Sequence, residues 1–138
     1  YHPEIYTKGA MVIHSLRGVL GDELFFPALK AFAEAEQFTY LNLVNTQDFT
    51  DFIQGYTGQN LEGFFELYLK TTRLPEVKVK KKGKDQFLVS LEGIEFELPV
   101  EVKTSTGIKK YPLGKAPTLI SSTTTPEVDP RGWLMLQR

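Results

Sequence analysis

The spacing of apolar side chains changes once along this chain, and that change constrains its fold more than any other feature. Up to Leu74-Pro75, hydrophobic residues recur every three or four positions; from Val77 onward they alternate with polar ones. The first spacing belongs to amphipathic helices and the second to half-buried strands. Proline drives the residue before it out of the helical basin, so Leu74-Pro75 is a natural seam. The pattern predicts an α+β chain: a bundle of about four α-helices over residues 1–74, then a small antiparallel β-sandwich over residues 75–138.

Within the first part, residues 1–21 place Ile5, Met11, Val12, Leu16, Val19 and Leu20 on one side of a helix of about five turns. Pro3 suits its first turn and Gly21 its close. Asp22 can cap a second helix running to Phe38, with Phe25, Leu29 and Phe32 as its stripe. Asn45 or Thr46 caps a third, built on Phe49, Phe52 and Ile53 and stopped by Gly58. Asn60 caps a fourth that extends to Arg73, its inner face formed by Leu61, Phe64, Phe65, Tyr68 and Leu69. Aromatic residues at helical spacing are read as core.

In the second part, strands are expected at 77–80 and 86–91, joined by a turn at 82–85. Others are expected at 94–98, 100–103, 108–113, 118–122 and 133–136, with a turn-rich approach to the last. Pro99 argues for a sheet edge or a bulge where it stands. Short strands separated by turns about every ten residues indicate a sandwich.

Composition narrows the function classes. Hydrophobic residues make up 41% and charged residues 24%, the balance of a globular protein. A formal charge of −1 gives no general electrostatic reason to bind nucleic acid, and no apolar run is long enough for a transmembrane segment. Lys78, Lys80, Lys81, Lys82 and Lys84 are read as the outer face of an edge hairpin, where charge discourages strand-to-strand association. The chain has no cysteine, which rules out disulfides and thiolate metal sites. Its two histidines, His2 and His14, lie outside any H-E-x-x-H pairing, so no metal ligands and no cofactor-binding residues are assigned. The chain opens at Tyr1 rather than Met, and it is read as a piece of something longer.

The run Tyr6-Thr7-Lys8-Gly9-Ala10, followed by Leu16-Arg17 and Leu20-Gly21-Asp22-Glu23, resembles the Y-x-K-G-A…L-R…L-G-D-E segment of the aminopeptidase N family. Gly58 to Phe65 resembles a G-x-x-L-x-x-F-F segment of the same proteins, Thr46 to Phe49 a looser T-x-x-D-F, and Asp129 to Leu134 a closing D-P-x-G-W-L. These are gluzincin zinc metallopeptidases that remove single residues from peptide N-termini. The resemblance implies the C-terminal part of a catalytic domain followed by its β-sandwich. It implies peptide substrates, and zinc held by a missing N-terminal part rather than by this piece, which alone is expected to be inactive.

By the same resemblance, Tyr6 is the catalytic tyrosine whose hydroxyl faces the reacting carbonyl, and Tyr1 is a second, substrate-binding tyrosine. Attack on a peptide carbonyl builds negative charge on its oxygen, and a fixed hydroxyl can share that charge. A phenol, with a pKa near 10, stays protonated and able to donate. The helix face bearing Tyr1 and Tyr6 is then expected to be open, as one wall of a cleft. The competing reading is a non-catalytic scaffold or interaction module from the same family; the presence of Tyr6, Lys8 and Gly9 together favours the enzyme.

Overall fold

The computed structural model describes residues 3–35, 46–71 and 73–137; within these, the side chains at 3–9, 46 and 70 lie outside the description. Helices α1 (Pro3–Leu20), α2 (Asp22–Glu34), α3 (Thr46–Thr57) and α4 (Glu62–Lys70) come first. Strands β1 (Glu76–Gly83), β2 (Gln86–Glu92), β3 (Leu98–Thr104), β4 (Gly107–Leu113), β5 (Thr118–Ser121) and β6 (Glu127–Val128) follow. The strands form two three-stranded sheets, ordered β1-β2-β5 and β4-β3-β6, with every neighbouring pair antiparallel. The α+β architecture is the one the change of spacing predicts.

Helix α1 buries Val12, Leu16, Val19 and Leu20, the stripe set by its sequence. Gly21 closes it at φ 81°, a conformation that suits glycine. Asp22 does not cap α2: the cap position is Gly21, and the Asp22 carboxylate is instead held by Arg17 across the junction. Helix α2 ends at Glu34, short of Phe38, because Ala35 is already extended. Phe32 of α2 packs edge-on against Phe49 and Phe52 of α3 at 5.1 and 5.5 Å.

Helix α4 is covered on two sides, which alters its expected face. Phe65 meets Phe49 of α3, while Gly63 lies so close to Phe96 that a Cβ there would stand 2.7 Å from the ring. Leu67 is therefore buried and Leu69 is exposed, the reverse of the expectation. The helix also stops at Lys70 rather than Arg73.

The sandwich core comes from alternate residues. Leu98, Val100, Val102 and Thr104 of β3 are buried, while Glu101 and Lys103 between them are not. Val89 and Leu91 of β2, Leu113 of β4, Ile120 of β5 and Val128 of β6 complete it, in one cluster with the buried helix residues. The hairpin turn is only Lys84-Asp85, and β1 carries the irregularity in register between Lys81 and Gly83. Strand β3 is central in its sheet, but β6 pairs with it only at Val102 and Lys103. Pro99 therefore stands where that side of β3 is free, as proline requires.

Two expected strands are absent. Residues 94–97 form a bend whose Ile94 and Phe96 turn into the core, and 133–136 run without ladder partners. Both segments are apolar because they face helices. The Tyr68 hydroxyl of α4 illustrates this, donating to the Met135 carbonyl at 2.8 Å. Tyr68→Phe leaves that carbonyl without its donor in a buried setting, which is expected to cost about 1–3 kcal/mol in urea unfolding. Unchanged stability would show that the bond does not tie α4 to the C-terminal segment.

Candidate functional site

The last nine described residues form the joint on which the candidate site depends. After β6 the chain reverses through Asp129-Pro130-Arg131-Gly132, with the Gly132 N–H donating to the Asp129 carbonyl at 3.1 Å. Proline presets the second turn position, and Asp129 takes φ 51°, which aspartate tolerates better than most residues. The Asp129 side chain then folds over its own continuation. It is buried, and its two carboxylate oxygens accept the N–H groups of Trp133 (3.0 Å) and Leu134 (2.9 Å). Farther on, Gln137 exchanges backbone hydrogen bonds with Pro75 and Val77, at 2.7 and 2.8 Å, fastening the segment to the start of β1.

Trp133 fills the angle between α1 and the outer face of the β4-β3-β6 sheet. Gly18 makes this possible, since a Cβ at that position would stand 2.5 Å from the Trp133 Cβ and 2.8 Å from its Cγ. Ser15 Oγ donates to the Trp133 carbonyl at 2.8 Å. The His14 ring stacks on the indole at 4.8 Å, and its Nε2 lies 3.2 Å from the Gly132 carbonyl. Arg17 stands 5.3 Å from the indole and 5.0 Å from the Phe26 ring while gripping Asp22 with two nitrogens.

The sheet contributes a charged pair from opposite positions on β3 and β4, Glu101 and Lys110. Lys110 Nζ donates to the Gly18 carbonyl at 2.7 Å, near the electronegative end of α1. Glu101 accepts from Trp133 Nε1 at 3.0 Å and takes two guanidinium nitrogens of Arg131. The Arg131 hydrogen bond holds the Glu101 carboxyl below the ordinary glutamate range, despite the opposing pull of its partial burial. Burial, reinforced by the Asp129 charge, raises the Tyr68 phenol well above its usual pKa, so it stays a donor.

These contacts fix the C-terminal half of the helix that carries Tyr6. In helical phase residue 6 shares a row with Ala10, Ile13 and Arg17. Ala10 is exposed and Ile13 is 37% exposed, whereas the opposite row of Val12, Ser15, Leu16 and Val19 is buried. The described members of Tyr6's row thus face away from the core. The Tyr6 side chain itself, and Tyr1 altogether, lie outside the described residues. Among the described residues, no group of three or more His, Asp or Glu side chains is gathered to hold a metal. Among the described residues no helix is long and apolar enough to cross a membrane.

The sequence reading missed the joint. It expected a strand at 133–136 after a turn-rich approach, and gave no structural role to Gly18, Glu101 or Asp129. The signal lay in the order Asp-Pro-x-Gly, a turn with a carboxylate at its first position. A groove of about 610 Å³ between α3 and α4 is lined by residues that include Asp51, Gln54, Glu62 and Phe65; of these the sequence reading singled out only Phe65, as a packing residue.

A stretch of 76 residues, 55% of the chain, is 33% identical to aminopeptidase N of Lactococcus lactis subsp. lactis; it spans 9% of that relative's length. No family model matches the chain. The similarity to aminopeptidase N is therefore distant and partial.

The Glu101 clamp generates a pH dependence. Its pKa is depressed in the folded state, so its contribution is present above the ordinary glutamate range and is lost as pH falls through the lower folded value. Glu101→Gln is expected to be less stable than the parent at pH 7, with the gap closing below about pH 4. Urea midpoints measured from pH 7 to 3 check this; a constant gap would refute it.

Proposed function

We propose that this chain is part of a zinc-dependent aminopeptidase that removes N-terminal residues from peptides, and that its contribution to the reaction is the Tyr6 hydroxyl. On this reading, residues 1–74 complete a catalytic domain and residues 75–138 are the sandwich that follows it. The observation that carries the reading is the 33% identity to a lactococcal aminopeptidase N over 76 residues. The unbroken helix through the Tyr6-Thr7-Lys8-Gly9-Ala10 run is in keeping with it.

The chemistry asked of Tyr6 is modest and specific. As a nucleophile adds to the scissile carbonyl, its oxygen becomes anionic. A phenol held in place donates a hydrogen bond to that oxygen more strongly in the transition state than in the bound peptide. The hydroxyl keeps its proton throughout and serves only as a donor. Zinc, which the similarity implies for the whole enzyme, finds no set of ligands among the described residues. With no H-E-x-x-H in the sequence, metal binding, the general base and most of the substrate pocket are assigned on this reading to the rest of the polypeptide. Tyr1 is proposed as a secondary contact to substrate.

Tyr6→Phe in the full-length protein removes the donor and keeps the ring. Turnover of an aminoacyl reporter is expected to fall about a hundred- to a thousand-fold, with KM changed little. Full activity in that variant would end the catalytic assignment and favour a scaffold role for this part of the protein.

A further inference from the structure

We propose that Trp133 and Gly18 form a positioning pair that sets the placement of α1, and through it the aim of Tyr6; this rests on the role proposed for Tyr6. Trp133 is not a catalytic residue, since it lies on the C-terminal segment beside the opposite end of α1. Tyr6 and Gly18 are twelve residues apart on one helix, about 18 Å along its axis. At that distance a tilt of about 5° displaces the far end by about 1.5 Å. Misplacement on that scale can cost about a hundredfold in rate, because an oxyanion donor acts only at its proper distance.

Several contacts converge on the pair and fix different degrees of freedom. The absent Cβ of Gly18 lets the backbone of α1 approach until the indole blocks it, which sets the distance. Ser15 Oγ on the Trp133 carbonyl and His14 stacked on the ring fix the rotation of α1 about its axis. Lys110 on the Gly18 carbonyl fixes the position along the axis. The indole in turn is immobilised by Glu101 on Nε1 and by Asp129 on its backbone N–H.

The test is a double-mutant cycle in the full-length protein. Trp133→Ala and, as a milder change, Ser15→Ala are each made with Tyr6 and with Tyr6→Phe, and kcat and KM are measured after thermal unfolding has established that each variant is folded. With Tyr6 present, Trp133→Ala is expected to lower kcat at least tenfold and Ser15→Ala a few-fold, with KM nearly unchanged; Trp133→Phe should recover most of the loss. With Tyr6→Phe, neither change should lower kcat further, because nothing remains to be aimed. Equal losses in both backgrounds, or no loss from folded variants, would overturn the positioning role while leaving Tyr6 in place. An inactive Trp133→Ala that fails to fold leaves the decision to Ser15→Ala. Should Tyr6→Phe alone be fully active, both proposals fall together.

Discussion

A single buried carboxylate, that of Asp129, holds the C-terminal segment in its path. Without it the N–H groups of Trp133 and Leu134 would be buried with no ladder to join, and an unpaired backbone group in that setting is costly. With it, the segment can leave the sheet after β6 and still have these two N–H groups paired. That freedom lets Trp133 reach α1, Met135 accept from α4 and Gln137 pin the start of β1. Helices and sheets are joined in part through this irregular strip.

The strip explains where the sequence was legible and where it was not. Several elements carried by a clean period were found, among them the stripe of Val12, Leu16 and Val19, the alternation through β3, and the arrest of α3 at Gly58, whereas the caps expected at Asp22 and Asn60 fall instead at Gly21 and Leu61. Residues 94–98 and 133–136 were misread for one physical reason. Alternating apolar side chains show that a segment has something to bury; they do not say whether a strand or a helix will cover it. Ile94 and Leu134 are packed in the core, and Phe96 against it, without a β-ladder of their own. Leu67 and Leu69 exchanged places for a related reason, because a helix covered on two sides does not follow the single stripe of a surface helix.

Gly18 and Gly63 show the other kind of information that patterns hide. Neither closes a turn or adopts a positive φ; each lies inside a helix, where glycine is less favourable than alanine by about 1 kcal/mol. Each also lies against an aromatic ring from the second half of the chain, Trp133 and Phe96 respectively. Close approach to a ring is what the lost helix propensity is exchanged for, and only the partner's location reveals it. The catalytic assignment of Tyr6 stands differently again: it came from a run of residue types in register, and neither period nor packing bears on it.

Docking the helices by one edge of their surface has a consequence for function. Helix α1 is gripped along His14, Ser15 and Gly18 as well as by its buried row of Val12, Leu16 and Val19. The row of Ala10 and Ile13 stays exposed on the side away from these contacts. A side chain that must meet a reacting group needs both conditions together, a rigid support and an unobstructed side. A helix buried on every face would supply the first alone, and a loop the second alone. An anchored helix with one open row supplies both.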